Sequence, residues 1–345
     1  MKEFLLDYYR YSVFNNRSED PLPEMAGPPL EIHIDETTEP FVCHKPASVP
    51  IHWDEEFHQD LLKDVKKDVL EIVPHGEPVT HCHKVVLKRK PDGSYRRTVD
   101  YSPLNKHCTR ETHSMESPVI VARRVPPHTW KTVTDAADGY HSIPLRESDR
   151  HLTTFITTHG RFRYKRAPQG FLSSGDGFNR RFDEILADFV RKERLTDDTL
   201  HYDTDLEQHW WRTFELLDTV GRSGMVLNPK KFQFCQREVD FVGFRITEER
   251  IDPHPKYYSA IRDFPTPQNA TDIKSWFGLV NQVASFSQLR DIMTPFRPFL
   301  SPKNPFQWSR ELDLAFDEAK EAIISAIRKG VEIIDLKRPT CLRPD

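Results

Sequence analysis

Hydrophobic residues recur every three or four positions in four segments of the chain, which is the spacing of one face of an α-helix. These segments are 178–190, 206–220, 272–286 and 310–329. Gly221 and Gly224 follow the second segment as stop signals, and Thr271 is the predicted N-cap of the third. Each stripe predicts a buried helix face, so none of these residues is assigned a ligand.

Short runs rich in β-branched and aromatic residues predict strands between the helices. They are 132–136, 141–145, 153–157, 199–202 and 239–246. Two more strand-like runs, 85–87 and 95–101, flank Lys90-Pro91-Asp92-Gly93-Ser94, whose residue types favour a hairpin turn. Strands and helices are mixed without a regular βαβ alternation, which favours an α+β fold over a doubly wound sheet.

Composition narrows the class of protein. A chain of 345 residues with 37% hydrophobic residues predicts two or three packed units and excludes wholesale disorder. No apolar run is long enough to cross a bilayer, so no membrane partner is predicted, and MKEFLLDYYR lacks a secretory signal. The five cysteines are scattered without a CxxC pair, which argues against a disulfide framework and predicts an intracellular, non-secreted protein.

Charge is unevenly distributed along the chain. The net charge of −4 argues against a generic nucleic-acid binder, but residues 17–40 alone carry −6, with five prolines, and their composition predicts an unpacked linker. The rest of the chain carries +2, and residues 84–110 carry +6. The predicted hairpin holds five of these basic residues, Lys88, Arg89, Lys90, Arg96 and Arg97. They indicate either a phosphate-binding surface or a solvated edge that protects a sheet from aggregation.

Three aspartates are candidates for metal binding. Asp135 lies in a strand-like run, and Asp197-Asp198 follows 62 residues later. Adjacent strand residues point to opposite faces, so the pair can serve one site only from a turn such as a hairpin tip. Clustered carboxylates repel one another unless cations lie between them, and hard oxygen ligands suit Mg²⁺. The alternative for Asp197-Asp198 is a solvated turn, and Asp138 nearby fits a turn before Gly139.

Six segments, in order and with similar spacing, resemble the characteristic segments of reverse transcriptases. They are RRTVDYSPLNK (96–106), TDAADGYHSI (134–143), APQGF (167–171), LTDD (195–198), GMVLNPKK (224–231) and FVGF (241–244). The chain is most similar to the polymerase region of gypsy-type LTR retrotransposon Pol polyproteins, over roughly residues 40–345. The resemblance implies an RNA-directed DNA polymerase, a nucleotidyltransferase that adds dNTPs to a primer on an RNA or DNA template.

The resemblance also implies a right-hand polymerase fold with an antiparallel palm sheet. Its expected divisions are an acidic N-terminal segment or linker (1–40), fingers (41–130 and 147–168), palm (131–146 and 169–250), thumb (251–308) and a connection with the first strand of a ribonuclease H domain (309–345). Only the start of that last domain is present, so no ribonuclease H activity is expected. Both monomer and homodimer remain open, in the cytoplasm or in retroelement particles.

Residue roles carry over from the resemblance position by position. Asp135, Asp197 and Asp198 would hold two Mg²⁺ ions, with Mn²⁺ as a substitute. Tyr140 would exclude a 2′-hydroxyl, Arg96 with Arg89 would meet the triphosphate, and Gln169 and Gly170 would line the nucleotide pocket. Lys231 or Lys230 would give a proton to pyrophosphate, and Val242, Gly243 and Phe244 would support the primer end.

Two positions depart from the family pattern. Leu195 replaces an aromatic residue before the Asp-Asp pair, and Thr196 replaces an apolar one. An aromatic residue normally flanks the primer terminus, so these changes predict reduced activity. They also motivate the alternative function, a catalytically weak or dead retroelement remnant that only binds nucleic acid.

Overall fold

The computed structural model describes residues 1–14, 21–35, 37–90, 93–284, 289–301 and 303–333. The chain divides into two compact units, each built from several segments. The first comprises Met1–Met115, Thr134–Val190 and Trp211–Phe232, and the second comprises Glu116–Val133, Arg191–Trp210 and Gln233–Asp345. Helices and strands alternate irregularly in both, as predicted for an α+β fold.

The helices are α1 (Lys2–Tyr8), α2 (Ile51–Lys66), α3 (Ser102–Asn105), α4 (Pro118–Arg123), α5 (Ser174–Ile185), α6 (Leu206–Arg222), α7 (Lys256–Arg262), α8 (Ala270–Val283) and α9 (Arg310–Ile327). The strands are β1 (Leu70–Ile72), β2 (His83–Arg89), β3 (Tyr95–Asp100), β4 (Trp130–Asp135), β5 (Phe155–Thr157), β6 (Gly160–Tyr164), β7 (Lys192–Leu195), β8 (Asp198–Asp203), β9 (Gln233–Gln236), β10 (Val239–Phe241), β11 (Phe244–Ile246), β12 (Arg250–Pro253) and β13 (Val331–Glu332). Within the described ranges, 3₁₀ turns cover Tyr140–Ser142, Glu147–Thr153, Pro229–Lys231 and Thr294–Leu300.

The first unit contains a five-stranded sheet in the order β1-β6-β5-β2-β3. Strands β2 and β3 form the predicted basic hairpin, in which Lys88 pairs with Arg96 and Arg89 with Tyr95. Alternate residues of β2 are buried, because one face of a strand packs on the core and the other meets solvent. The predicted turn residues Pro91 and Asp92 lie outside the described residues, and Gly93 has the positive φ (86°) expected of a turn glycine.

The second unit contains two four-stranded sheets, ordered β7-β8-β4-β9 and β10-β11-β12-β13. The pairs β7–β8, β4–β9 and all three pairs of the last sheet are antiparallel. Helices α7, α8 and α9 enclose a separate apolar cluster around Trp276 and Phe316, both almost fully buried. The two apolar stripes predicted for α8 and α9 therefore form a core, as their periodicity indicated.

The N-terminal segment corrects the interpretation of residues 17–40 as unpacked. Leu22, Met25, Leu30 and Ile32 are buried, despite the acidic and proline-rich composition of the segment. The backbone is also bonded to the first unit, since the Met25 N–H donates to the Ser142 carbonyl at 2.8 Å. The composition of the segment predicted an unpacked linker, and that prediction was wrong. A few scattered apolar residues can anchor an extended chain even when it forms no helix or strand.

Three local predictions were wrong. The strand predicted at 141–145 is absent, because the backbone closes a 3₁₀ turn at Tyr140–Ser142 and the Ser142 hydroxyl donates to the Gly139 carbonyl at 2.6 Å. The strand predicted at 239–246 is two strands, because Val242 and Gly243 take positive φ and reverse the chain. The N-cap of α8 is Asn269, whose side chain accepts the Thr271 and Asp272 N–H groups, and Thr271 lies inside the helix.

The remaining helix predictions are confirmed within a few residues. Helix α6 ends at Arg222, so Gly221 lies in its last turn, and Gly224 follows with a φ of +77°. Helix α9 begins after Ser309, whose side chain accepts the Leu312 N–H. No helix in the described part of the chain is both long and apolar enough to cross a membrane.

Candidate functional site

Asp135 lies at the end of β4 and is buried, with 8% of its surface exposed. Its Oδ1 accepts a hydrogen bond from the Lys231 Nζ at 2.7 Å. Its backbone carbonyl accepts from the Asn228 N–H at 2.8 Å, and Ala136 bridges to Leu227. These bonds fix the Asn228–Lys231 segment against the end of β4. The ammonium group of Lys231 is therefore the counter-charge of the Asp135 carboxylate.

The same segment distinguishes the two neighbouring lysines. Asn228 accepts the backbone N–H of Lys230 through its Oδ1 at 3.0 Å, which shapes the 3₁₀ turn Pro229–Lys231. Within that turn, Lys231 is the lysine whose amine contacts Asp135. The Lys231 side chain is still 62% exposed, so it can move without breaking a packed core.

Gln169 and Gly170 lie on a loop held by Asn105. The Asn105 Nδ2 donates to the Gly170 carbonyl at 2.9 Å, and its Oδ1 accepts the Leu172 N–H at 3.1 Å. Gly170 has a φ of +95°, and a Cβ there would lie 3.2 Å from the Val99 carbonyl oxygen, so a larger residue would strain the loop. Asn105 was missed as a functional residue, although it lies inside the first reverse-transcriptase-like segment.

Tyr140 opens the 3₁₀ turn that follows β4 and is partly buried. Its ring packs edge-to-face on Phe178 of α5 with 5.8 Å between centroids. A Cβ on Gly175, in the first turn of α5, would lie 3.5 Å from the Tyr140 hydroxyl, an ordinary contact distance, so Gly175 lies beside the ring.

Arg89 and Arg96 lie on the basic hairpin, and both are exposed. Neither forms an ion pair with another residue of the described segments, in contrast to Arg97, which pairs with Asp64. Their guanidinium groups are thus open to an external anion. All of these residues, with Asp135, Tyr140 and Lys231, belong to the first unit.

Asp197 and Asp198 belong to the second unit, in the hairpin that joins β7 to β8. Leu195 pairs with Asp198 across a loop made of Thr196 and Asp197, so the predicted hairpin tip is present. Thr196 has a φ of +50°, and its carbonyl accepts from the Arg194 Nη1 at 2.8 Å. Asp197 is exposed and Asp198 partly buried. Leu195 packs against an apolar cluster that includes Leu200 and Val239.

A buried carboxyl group lies on the same hairpin. Burial raises the pKa of Glu193 to about 7, and the Arg124 guanidinium, 3.4 Å away, partly opposes that shift. Glu193 pairs with Leu200 in the β7–β8 ladder. Strand β7 therefore carries a group that titrates near neutral pH.

Val242, Gly243 and Phe244 form the tight turn between β10 and β11 in the second unit. Val242 and Gly243 have φ values of +45° and +88°. The Gly243 carbonyl accepts the His254 N–H at 3.2 Å, and a Cβ on Gly243 would lie 3.3 Å from the Tyr257 hydroxyl. Phe244 is buried beneath the turn, so the backbone of Val242 and Gly243 forms its outer face.

The structure thus brings Asp135 and Lys231 into contact and places Asp197 and Asp198 on a hairpin tip. The convergence of all three aspartates on one pair of metal ions stays a prediction, as do the other assigned roles and the division into fingers, palm and thumb. Residues 334–345, which include most of the predicted ribonuclease H strand, lie outside the described residues. The second unit also contains a buried group of His201, Asp203 and His209 that was not predicted from the sequence.

Comparison with known proteins identifies the relatives of this chain. Residues 88–246 match the family described as "Reverse transcriptase (RNA-dependent DNA polymerase)". The chain is 27% identical over 219 residues to the "Retrovirus-related Pol polyprotein from transposon opus" of Drosophila melanogaster, covering 62% of this chain and 22% of that protein. It is also 27% identical over 270 residues to the Gag-Pol polyprotein of Feline leukemia virus, covering 73% of this chain and 16% of the other. The chain therefore spans about a fifth of the length of these relatives.

Solved structures show the same fold. The foamy viral protease-reverse transcriptase in complex with an RNA/DNA hybrid superposes with a TM-score of 0.82 at 20% identity, over 95% of this chain and 43% of that one. The same viral protein in complex with double-stranded DNA gives 0.81 at 20% identity, over 97% of this chain and 69% of that one. These matches confirm the predicted right-hand polymerase fold. The family match to residues 88–246 supports the predicted RNA-directed DNA polymerase function.

Proposed function

We propose that residues 88–246, which match the reverse transcriptase family, form a reverse transcriptase domain of the kind found in retrotransposon and retroviral Pol polyproteins, and that this chain acts through it. It is a nucleotidyltransferase that adds dNTPs to the 3′ end of a primer on an RNA or DNA template. The observation that carries the proposal is the Asp135–Lys231 pair at the end of β4, inside that domain. Asp135 is buried at the end of a strand, and its partner Lys231 is exposed. Such a pair suits a site where charge is rearranged during phosphoryl transfer.

Asp135, Asp197 and Asp198 are the proposed holders of two Mg²⁺ ions, with Mn²⁺ as a substitute. The donor set fits, since it offers only carboxylate oxygens and Asp197 is open to solvent. When bound, such ions activate the attacking 3′-hydroxyl and stabilise the leaving pyrophosphate. The present partner of Asp135 is Lys231, whose exposed side chain can release the carboxylate to a cation of higher charge.

Lys231 is the proposed proton donor to pyrophosphate, in preference to Lys230, because Lys231 is the one that contacts Asp135. An ammonium group carries the proton that a leaving oxyanion requires, and its exposure lets it follow the departing group.

Arg89 and Arg96 are the proposed triphosphate contacts, supported by their exposed guanidinium groups. Gln169 and Gly170, on the loop fixed by Asn105, are the proposed wall of the nucleotide pocket.

Tyr140 is the proposed barrier to a ribose 2′-hydroxyl. The edge-to-face contact with Phe178 holds the ring in place. Val242, Gly243 and Phe244 are the proposed support of the primer end, because a glycine in a tight turn allows close approach to the backbone. We also propose that the chain is of the gypsy type and acts inside the cell, on the basis of the motif resemblance and of its retroelement relatives.

Primer extension tests this function. The wild-type chain should extend a DNA primer on an RNA template with dNTPs and Mg²⁺, and Asp135→Asn or Asp198→Asn should lower the rate by about 10²- to 10³-fold, because a carboxylate charge is removed from the transition state. Asp252→Asn, which changes a carboxylate of β12, serves as the control and should leave the rate unchanged. Nucleic-acid binding without extension by the wild type would instead support the remnant that only binds nucleic acid.

Tyr140 gives a second test with a different readout. Tyr140→Ala should raise the use of ribonucleotides relative to deoxynucleotides by roughly 10- to 100-fold, since removing the ring opens space for the 2′-hydroxyl. Tyr140→Phe keeps the ring and its contact with Phe178, so it should discriminate like the wild type. Competition between matched dNTP and NTP in single-nucleotide incorporation measures the ratio, and equal ratios in all three chains would remove Tyr140 from this role.

A further inference from the structure

The second unit contains a buried cluster of His201, Asp203 and His209 that the proposed polymerase chemistry does not use. All three residues are at most 1% exposed, and one ligand atom from each lies within 4.8 Å of the others. His201 and Asp203 are two apart on β8, so both point to the same face of the strand. His209 lies in the first turn of α6 and reaches that face from the helix.

The separation of two of these atoms is the one that a small metal ion requires. The His209 Nδ1 and the Asp203 Oδ2 are 3.3 Å apart. Two ligands at 2.0–2.1 Å on a tetrahedral zinc ion are separated by roughly 3.3 Å. The rings of His201 and His209 stack with 4.4 Å between centroids, so the two imidazoles lie side by side.

The outer partners of the cluster also match those of a metal site. The His209 Nε2 lies 2.7 Å from the Thr132 hydroxyl oxygen, which accepts the Cys235 N–H at 3.0 Å. If the Nε2–H donates to that oxygen, the Nδ1 is left as a lone pair that faces Asp203. The other oxygen of Asp203 accepts from the Arg191 Nη1 at 3.0 Å. Thr132 therefore orients the His209 ring, and Arg191 orients the Asp203 carboxylate.

We propose that His201, Asp203 and His209 provide three ligands of a site for a zinc-like divalent ion, separate from the polymerase carboxylates, with water as the fourth ligand of a tetrahedral site. Two imidazole nitrogens and one buried carboxylate favour Zn²⁺ over Mg²⁺, which prefers oxygen ligands and retains its water. The bound ion would join the start of α6 to β8, so its main effect would be on stability. This inference does not rest on the proposed polymerase function.

Zinc binding by the purified full chain tests the site. After removal of metal by a chelator, the wild type should take up one Zn²⁺ per chain in the presence of excess Mg²⁺, and its melting temperature should rise by about 5 °C or more. Co²⁺ loading should give the intense visible absorption of a tetrahedral site. No uptake and no shift in the wild type would overturn the proposal and leave a hydrogen-bonded network without metal.

Three variants locate the bound ion. His201→Phe keeps a ring that can stack on His209, and it should lose the zinc-induced rise in melting temperature. Asp203→Asn keeps the shape of the side chain and should lose the same rise. The matched control is His113→Gln, because His113 and Asp183 form a histidine–carboxylate pair at 2.7 Å that belongs to the first unit. It should bind zinc like the wild type, as should the Asp197→Asn, Asp198→Asn double variant. Zinc uptake that persists in His201→Phe or Asp203→Asn would place the ion elsewhere and overturn the assignment.

Discussion

The hairpin β2–β3 and the strand β6 belong to the same sheet of the first unit, and both are rich in lysine and arginine, but they use that charge differently. The basic residues of and after β6 are occupied by the protein itself. Arg163 pairs with Glu71 and Glu77, and Lys165 pairs with Asp68. Arg166 is 2% exposed and donates to the carbonyls of Leu22 and Asp68 at 3.0 and 3.1 Å.

The hairpin presents the opposite arrangement. Lys84, Lys88, Arg89 and Arg96 are exposed, and within the described residues none of them forms an ion pair. The exception is Arg97, which turns inward to Asp64. The comparison of β6 with the hairpin shows that the number of positive charges in a segment does not locate a phosphate-binding surface. Only the cations that the fold leaves without a carboxylate partner are available to a nucleic acid or a triphosphate.

Replacement of Arg166 should have the largest effect on stability. Arg166→Met should lower the free energy of unfolding by about 3 kcal/mol, because the buried carbonyls of Leu22 and Asp68 lose their donor. Chemical denaturation measures the loss. Arg163→Gln, at a partly exposed position, is the control and should cost about 1 kcal/mol or less. Equal costs for the two changes would mean that the buried arginine is not the anchor of the N-terminal segment.

His83, at the start of β2, should make the hairpin region sensitive to acid. Burial lowers the pKa of His83 to about 4 in the folded protein, although the Leu152 carbonyl accepts a hydrogen bond from its Nε2 at 3.0 Å. The unfolded chain takes up this proton near pH 6.5 and the folded chain does not, so stability is lost as the pH falls from about 6.5 toward 4.

His83→Phe removes this titration and keeps the ring contacts. Between pH 7 and pH 4.5 the wild type should lose about 2 kcal/mol more unfolding free energy than the variant. Urea denaturation across that range measures the difference, and His44→Gln, at an exposed position, should follow the wild type. Parallel pH profiles for wild type and His83→Phe would contradict a buried neutral imidazole.

The exposed arginines should have the smallest effect on stability and a clear effect on binding. Arg89→Gln with Arg96→Gln should weaken dNTP or primer–template binding by about 10-fold and reduce the slope of log affinity against log salt by about 1 to 2, because each lost phosphate contact releases one counterion fewer. The melting temperature should stay within about 1 °C of the wild type. Fluorescence anisotropy over a salt series measures the slope, with Arg163→Gln as the control that should bind normally.

Periodicity along the chain was enough to predict the helices, because an apolar stripe in the sequence becomes a buried face wherever the helix packs. The hairpin tip at Asp197 was also predictable, since two adjacent aspartates can share a site only from a turn. The pairing of Arg163 and Arg166 was not, because their acidic and carbonyl partners lie 86 to 144 residues away in sequence. Long-range contacts also hid Asn105, whose partner Gly170 is 65 residues away, and the packed N-terminal segment, whose Met25 N–H bonds to the Ser142 carbonyl. The cluster of His201, Asp203 and His209 did leave a signal, the alternation of His201 and Asp203 on one strand.

Single-nucleotide incorporation on an RNA template tests the central claim, that the Asp135 and Asp197-Asp198 carboxylates perform nucleotidyl transfer. The wild-type chain, Asp135→Asn and Asp197→Asn should bind primer–template with equal affinity, because the exposed hairpin cations are unchanged. The wild type should then incorporate the matched dNTP about 10²- to 10³-fold faster than either variant, and only when Mg²⁺ or Mn²⁺ is present. Incorporation by either variant at the rate of the wild type, or by the wild type without a divalent ion, would contradict the account.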